Sequence, residues 1–188
     1  HIAAGEGGMV TTNNKKLADR VRLLRTHGIS KDNNINESKG WYYEMTKLGY
    51  NYRLSDIHAA LGNSQLKKID KNISKRIKIA ERYDSELGDL QIKTQKKFLR
   101  FKNAYHLYVI ITDKRDGLYN FLKTKNIFSQ VHYIPLYRLP YYQKYGFLKN
   151  DFPNSEYYYS RCLSIPNYHS LEYDEQSYVI ENLHQFFK

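Results

Sequence analysis

Two polar residues of the sequence, Asn51 and Arg53, are of types whose side chains can bind anions. They are separated by one residue and precede Ser55, a residue type that often caps a helix. Side chains two positions apart in an extended backbone point the same way, so this amide and guanidinium would lie together beside a helix N-terminus. Such a group of donors suits a phosphate or a carboxylate. The same spacing is equally consistent with a turn at Asn51 and an arginine that anchors the loop.

A histidine in the second half of the chain, His132, is the other candidate. It lies in the run Gln-Val-His-Tyr-Ile-Pro at 130–135, which predicts a strand that Pro135 ends. An isolated histidine is more often structural than functional. His106 could face His132 from an adjacent strand, yet the sequence holds no metal-ligand spacing such as HExxH. We therefore predict no metal site.

Two further features favour ordinary structure over chemistry. The run Gly-Glu-Gly-Gly at 5–8 could bring backbone N–H groups near an anion, but it matches neither the P-loop nor the dinucleotide pattern, so a plain turn is favoured. Cys162, the single cysteine, is predicted to be a buried structural thiol within a helix over 154–163. One cysteine can form no disulfide within the chain, which suits a reducing, cytoplasmic location.

The composition excludes some classes of protein. The 188 residues include 30 Lys and Arg against 19 Asp and Glu, a net charge of +11. This charge could indicate a nucleic-acid-binding protein, but the basic residues are dispersed, so solvated helix surfaces are the favoured explanation. No run approaches the roughly 20 apolar residues of a membrane helix, so we predict no membrane span. A hydrophobic share of 41% and an aromatic share of 15% exclude a disordered tail.

Hydrophobic periodicity predicts an α/β organisation around one long helix. That helix begins after Ser55 and ends at Gly88, and its length of about 45 Å would be enough to bridge two domains. Residues 29–50 show no clear period and are predicted to form a functional loop. The remaining elements are predicted as strands over 9–12, 104–112 and 127–134 and as helices over 15–27, 116–126, 154–163 and 174–187.

Several longer runs, in the same order along the chain, resemble the DegT/DnrJ/EryC1/StrS family of sugar aminotransferases. The resemblance covers essentially all 188 residues. Trp-Tyr-Tyr-Glu at 41–44 is similar to the branch that aminates a UDP-linked 4-keto-6-deoxy sugar on the pseudaminic acid route. The runs are AGEGGMVTTN at 4–13, RLLRTHGI at 22–29, LGYNYRLSDIHAALG at 48–62, QVHYIP at 130–135, PYYQKYG at 140–146, DFPNSE at 151–156 and LSIP at 163–166.

The resemblance implies the C-terminal portion of the aspartate-aminotransferase fold, an α/β fold also called PLP fold type I. Residues 1–54 would be the tail of the large PLP-binding domain, 55–89 the long interdomain helix, and 90–188 the small C-terminal α/β domain. It also implies the cofactor pyridoxal 5′-phosphate (PLP), glutamate as the usual amino donor, a UDP-sugar substrate and a homodimer.

The resemblance further implies roles for individual residues. Asn51 matches the residue that reaches the PLP phosphate in the partner subunit, and Arg53 follows it in the same signature. The residues that match regions near the nucleotide sugar lie in the 29–43 loop and in the segment around 132; they are Trp41, Tyr42, His132 and Tyr133.

The lysine that forms a Schiff base with PLP in this family would stand immediately before the residue matching His1, so no catalytic residue is expected in this chain. The chain by itself is therefore expected not to transaminate, and to expose apolar surface meant for a missing central sheet. Residues 90–188 are expected to fold alone. The alternative is a non-catalytic module that binds a sugar nucleotide or mediates dimerisation.

Overall fold

A computed structural model describes residues 1–30, 40–96 and 100–188. These residues form two compact units. The first comprises Ile2–Ile69, and the second comprises Asp70–Lys188 together with His1. The division into domains over 1–54, 55–89 and 90–188 stays a prediction, and the two units are described in turn.

Helix α1 (Lys15–Leu24) is the first helix of the first unit. The Asn14 side chain caps it, because the carbonyl Oδ1 accepts a hydrogen bond from the Leu17 amide at 3.1 Å. The helix ends earlier than the predicted residue 27, because His27 has a left-handed backbone with φ of 59°. Beyond it, β1 (Ile29–Ser30) pairs antiparallel with β2 (Glu44–Met45).

The described residues of the first unit form no hydrophobic core of their own. Among its described residues only Gly28 is buried. The predicted strand over 9–12 is wrong: these residues are exposed and are not assigned to a strand. Strand pairing requires a neighbouring strand, and β-favouring residue types alone do not provide one. The expected exposure of apolar residues is confirmed, since Met9, Leu48 and Ile57 are each about four-fifths exposed.

The single long helix predicted over 55–88 is also wrong. The structure has two helices, α2 (Asp56–Leu66) and α3 (Ile69–Glu86), separated at Lys67 and Lys68. The predicted cap is confirmed, because the Ser55 hydroxyl accepts from the His58 amide at 3.3 Å. At the break the Lys68 amide bonds to the carbonyl of Gln65, three residues back, at 3.1 Å. This tighter turn ends the helical ladder.

A short antiparallel sheet lies at the centre of the second unit. Strand β3 (Tyr108–Ile111) pairs with β4 (Cys162–Ile165), with Tyr108 opposite Ile165. Single bridges extend the sheet, from Lys93 to β3 and from Gln130 to β4. The predicted strand over 127–134 is therefore reduced to the Gln130 bridge. The strand predicted over 104–112 is shorter because Tyr105 has a positive φ of 46°, which is incompatible with extended backbone.

Helices surround this sheet. They are α4 (Arg115–Thr124), α5 (Pro140–Gln143), α6 (Pro153–Arg161) and α7 (Tyr173–Phe187), with 3-10 turns at Leu136–Arg138 and Lys149–Asp151. Three of them, α4, α6 and α7, agree with the predicted ones to within a few residues, whereas the short helix α5 was not predicted. Cys162 was predicted inside a helix, but it is the first residue of β4 because α6 ends at Arg161. The thiol is buried as expected, and burial raises its pKa.

The core of the second unit includes helix α3. Tyr83 of α3 and Leu87, the residue that follows α3, are almost completely buried, and Ile79 and Ala80 of α3 are buried with them. Residues 90–188 lack these side chains, so we expect 70–188, and not 90–188, to fold alone. The other core residues come from both strands and from helices α4 and α7; they include Tyr108, Ile110, Leu118, Leu122, Leu163, Ile165, Val179, Ile180 and Leu183. Across the described residues, no helix combines the length and the apolar character needed to cross a bilayer.

Candidate functional site

Asn51 and Arg53 lie on a segment that is joined to the C-terminal end of α1 by backbone hydrogen bonds. The Tyr50 amide donates to the Leu24 carbonyl at 2.7 Å, and the Tyr52 amide donates to the Arg25 carbonyl at 2.9 Å. Asn51 itself forms an antiparallel bridge with Thr26. The sequence predicted an extended backbone here, and this pairing shows it.

Two glycines allow this close attachment. A Cβ on Gly49 would lie 2.3 Å from the Gly28 amide nitrogen, and a Cβ on Gly28 would lie 1.8 Å from the Lys47 carbonyl oxygen. Gly28 also has a φ of 68°, in the left-handed region. Only glycine fits at either position, so the two glycines determine where Asn51 and Arg53 are held.

Both side chains are free to bind a ligand. Asn51 and Arg53 are exposed, and neither forms a hydrogen bond or an ion pair with another residue that the structure describes. The helix end beside them is already occupied, since Ser55 caps α2 and Asp56 places a carboxylate in its first turn. An anion here would therefore be bound mainly by the amide and the guanidinium, which fit the oxygens of a phosphate group.

Trp41 and Tyr42 are also exposed, at the end of a segment whose residues 31–39 lie outside the described residues. Their ring centroids are 6.2 Å apart in an edge-on arrangement. The Tyr42 hydroxyl donates to Glu44 Oε1 at 2.6 Å, and this hydrogen bond raises the pKa of Tyr42. The structure adds a second exposed aromatic pair, because the rings of Tyr50 and Tyr52 stack at 4.9 Å. The spacing of two residues between Tyr50 and Tyr52 could have indicated this pair from the sequence, because such side chains lie on the same side of an extended backbone.

In the second unit, His132 and Tyr133 are in contact. The Tyr133 ring packs edge-on against the imidazole at a centroid distance of 4.6 Å. The imidazole Nδ1 lies 2.9 Å from the hydroxyl oxygen of Ser164 on β4. His106 and His132 do not face each other from adjacent strands, because Gln130 bridges to β4 and His106 precedes β3, where its ring packs edge-on against His1 at 5.6 Å. No cluster of three potential metal ligands occurs in the part of the chain that the structure describes.

A cleft of about 370 Å³ adjoins Tyr133. Its volume falls within the range of small-molecule sites. Aromatic rings supply flat apolar walls, and an amide and a hydroxyl from the start of α6 supply polar groups. The lining residues are Tyr133, Pro135, Asn154, Ser155, Tyr158 and Tyr159. Of these, sequence reasoning identified only Tyr133, because the cleft forms between segments about 20 residues apart in the chain.

The two walls of the cleft are joined by Arg138 and Glu156. The Arg138 Nε donates to Glu156 Oε1 at 2.8 Å, and a second, shorter contact joins Nη2 to Oε2. The Tyr137 hydroxyl donates to the same carboxylate at 3.0 Å, and its ring stacks on Phe152 at 4.6 Å. The hydrogen bond from Arg138 is the main cause of the lowered pKa of Glu156. These contacts fix the 3-10 turn that follows Pro135 against α6.

Comparison with known proteins bears on all these residues. The model of the DegT/DnrJ/EryC1/StrS aminotransferase family matches residues 1–184. The spore coat polysaccharide biosynthesis protein SpsC of Bacillus subtilis is 39% identical, over 100% of this chain and 51% of its own length. The UDP-4-amino-4,6-dideoxy-N-acetyl-beta-L-altrosamine transaminase of Campylobacter jejuni is 37% identical, over 97% of this chain and 48% of its own length.

A solved structure agrees with these relatives. PseC of Helicobacter pylori, described as an aminotransferase involved in the biosynthesis of pseudoaminic acid, is 28% identical. It covers 94% of this chain and 47% of its own, with a TM-score of 0.80. The chain thus spans about half the length of the curated relatives that it matches.

Proposed function

Because the chain belongs to the DegT/DnrJ/EryC1/StrS aminotransferase family, we propose that it takes part in a PLP-dependent transfer of an amino group to a UDP-linked 4-keto-6-deoxy sugar. Glutamate is the proposed amino donor, and the proposed assembly is a homodimer located in the cytoplasm. The observation that carries the proposal is the exposed pair Asn51 and Arg53, held on a fastened backbone with no partner among the described residues.

The phosphate group of PLP fits this pair. Asn51 and Arg53 would hold it with neutral and charge-assisted hydrogen bonds, which makes the charged arginine the stronger contributor. When bound, PLP supplies an electron sink at the substrate carbon. The role of this chain's own residues is to bind and orient the phosphate.

The sugar nucleotide is assigned to the cleft beside Tyr133. The rings of Tyr133, Tyr158 and Tyr159 offer flat surfaces to a base or a sugar ring, and Asn154 and Ser155 offer hydrogen bonds to its polar atoms. Trp41 and Tyr42 are proposed as further contacts of the nucleotide sugar. The Campylobacter relative is named as a UDP-sugar transaminase, which supports a UDP-linked substrate.

The uncovered apolar side chains of the first unit support assembly with other protein surface. Ile57, Leu61 and Leu66 of α2 are exposed, and Gly28 is the one buried residue among those described in this unit. Apolar surface of this kind is usually buried in an interface. A homodimer is the assembly that we propose.

Phosphate recognition can be tested with PLP and pyridoxal, which lacks the phosphate. We expect PLP to bind the full chain at least tenfold more tightly than pyridoxal, because a charge-assisted hydrogen bond contributes about 1.5–3 kcal/mol. Arg53→Ala should remove most of this difference and Asn51→Ala part of it. Arg20→Ala, at an exposed arginine of α1, is the control of equal charge. Equal affinities for PLP and pyridoxal in the wild-type chain would contradict the phosphate assignment.

Titration with UDP tests the substrate assignment separately. Saturable binding that Tyr158→Ala weakens is the expected result. Binding of UDP without any preference for PLP over pyridoxal would favour the alternative, a non-catalytic module that binds a sugar nucleotide.

A further inference from the structure

The orientation of the His132 ring depends on one buried residue, Ser164. This serine is only 6% exposed, and its hydroxyl oxygen lies 2.9 Å from His132 Nδ1. Its backbone amide donates to the Gln130 carbonyl at 2.8 Å, and its carbonyl accepts from the Gln130 amide at 3.0 Å. Both backbone groups are therefore engaged in the bridge, and the position of Ser164 relative to the segment that carries His132 is fixed.

The direction of the Ser164–His132 hydrogen bond follows from the lack of other partners. Within the residues that the structure describes, His132 Nδ1 is the one hydrogen-bond partner of the Ser164 hydroxyl. If Nδ1 carried the proton, the buried hydroxyl hydrogen would have no acceptor, which is unfavourable. The hydroxyl therefore donates to Nδ1. The neutral imidazole then carries its proton on Nε2.

Cys162, the first residue of strand β4, lies near the backbone of His132. Cys162 is two positions before Ser164, so the two side chains share one face of the strand. Burial raises the pKa of the Cys162 thiol, and the charge of Arg115 and the backbone of His132 oppose that rise in part. His132 is thus held at its ring by Ser164, and its side chain is partly exposed beside the cleft residue Tyr133.

We propose that Ser164 is a positioning residue that presents His132 as an Nε2–H donor to a ligand oxygen. This inference rests on the proposed function for its ligand, a sugar nucleotide, whose phosphate, hydroxyl and carbonyl oxygens all accept hydrogen bonds. The chemistry that His132 recognises is then an acceptor, and a protonated amine is not recognised there. Neither the composition nor the family resemblance assigns this role to Ser164.

The decisive measurement is the protonation pattern of His132 in the full chain labelled with ¹⁵N-histidine, recorded at alkaline pH. His132→Gln identifies the signals of this ring. We expect a single form with the proton on Nε2 and a hydrogen-bonded Nδ1. A ring protonated on Nδ1 in the wild-type chain would overturn the inference, and this result does not depend on whether a Ser164 variant folds.

Variants then connect the ring to binding. Ser164→Ala should shift the Nδ1 signal toward that of a free imidazole and weaken UDP binding about threefold to tenfold. Ser164→Thr keeps the hydroxyl and should retain both properties. Ser129→Ala is the matched control, because Ser129 is equally buried and its hydroxyl has no partner within the described residues.

The outcomes separate the two proposals. Unchanged ring signals in Ser164→Ala would overturn the positioning role. A wild-type chain with the expected ring signals but no UDP binding would support that role and contradict the proposed substrate. Comparison of UDP with uridine shows which ligand oxygen accepts the hydrogen bond from His132. If the acceptor is a phosphate oxygen, Ser164→Ala should weaken the binding of UDP and leave the binding of uridine unchanged.

Discussion

Helix α3 should decide whether the second unit can fold. Three large side chains of α3 and of the residue that follows it, Ile79, Tyr83 and Leu87, are buried in one core with the sheet and helix α7. The Tyr83 hydroxyl also donates to the Pro166 carbonyl at 2.9 Å, next to the end of β4. At about 1.5–3 kcal/mol for each large apolar side chain, the burial of all three contributes about 5–9 kcal/mol. This is comparable with the whole stability of an ordinary domain, about 5–15 kcal/mol.

The assay is urea unfolding of two fragments, 70–188 and 90–188, followed by far-ultraviolet circular dichroism. We expect cooperative unfolding for 70–188 and no cooperative transition for 90–188. A single substitution, Leu87→Ala, should lower the free energy of unfolding of 70–188 by about 2–5 kcal/mol. Leu66→Ala in the full chain is the control, and at an exposed α2 position its effect should stay within about 0.5 kcal/mol.

Two results would refute this reasoning. One is a 90–188 fragment as stable as 70–188, which would mean that α3 packs on a core that is complete without it. The other is a decrease of less than about 1 kcal/mol in the free energy of unfolding for Leu87→Ala. A side chain that is only 1% exposed leaves a larger destabilising cavity when it is truncated in a well-packed core.

Three further predictions concern single residues. Gly28→Ala should speed amide hydrogen exchange around residues 50–52, since a left-handed φ and a backbone clash oppose any side chain there, whereas Gly8→Ala, whose Cβ meets nothing within 4 Å, should not. Glu156 has a folded-state pKa below its ordinary value, so its stabilising contribution is present above about pH 4.5 and is lost as the pH falls through the folded-state pKa; Glu156→Gln should flatten this part of the stability profile measured by thermal unfolding. The Cys162 thiol should not react with a thiol reagent in the native chain and should react once in urea, because it is buried with a raised pKa; rapid native reaction would contradict its placement in β4.

Local signals in the sequence predicted much of the helical structure. Ser55 caps α2 as expected, and Asn14 caps α1 in the same way, because a cap requires only a side chain and an amide two or three residues away. The helices near 115–124 and 173–187 follow from their own periodicity. The break at Lys67 and Lys68 was missed, since the residues on either side favour helix and the interruption coincides with the boundary between the two units.

Strands were predicted less well, because each needs a partner that is distant in the sequence. Residues 9–12 have β-favouring side chains and no pairing, while Gln130 forms a bridge only where Ser164 meets it. Cys162 reads as the end of a helix in the sequence, yet pairing with Ile111 makes it the start of β4. The cleft was missed for the same reason, since its walls come from the turn after Pro135 and from α6.

The sequence by itself determined the family and indicated Asn51 and Arg53 as a candidate anion-binding pair, because long ordered motifs and local spacing are properties of consecutive residues. Only the tertiary structure decided which groups remain free and which are held. It showed Asn51 and Arg53 without partners among the described residues, and it brought Ser164 to within 2.9 Å of His132. The physical reason is that hydrogen bonding and burial depend on contacts between distant segments, and those contacts exist only once the strands and helices have packed.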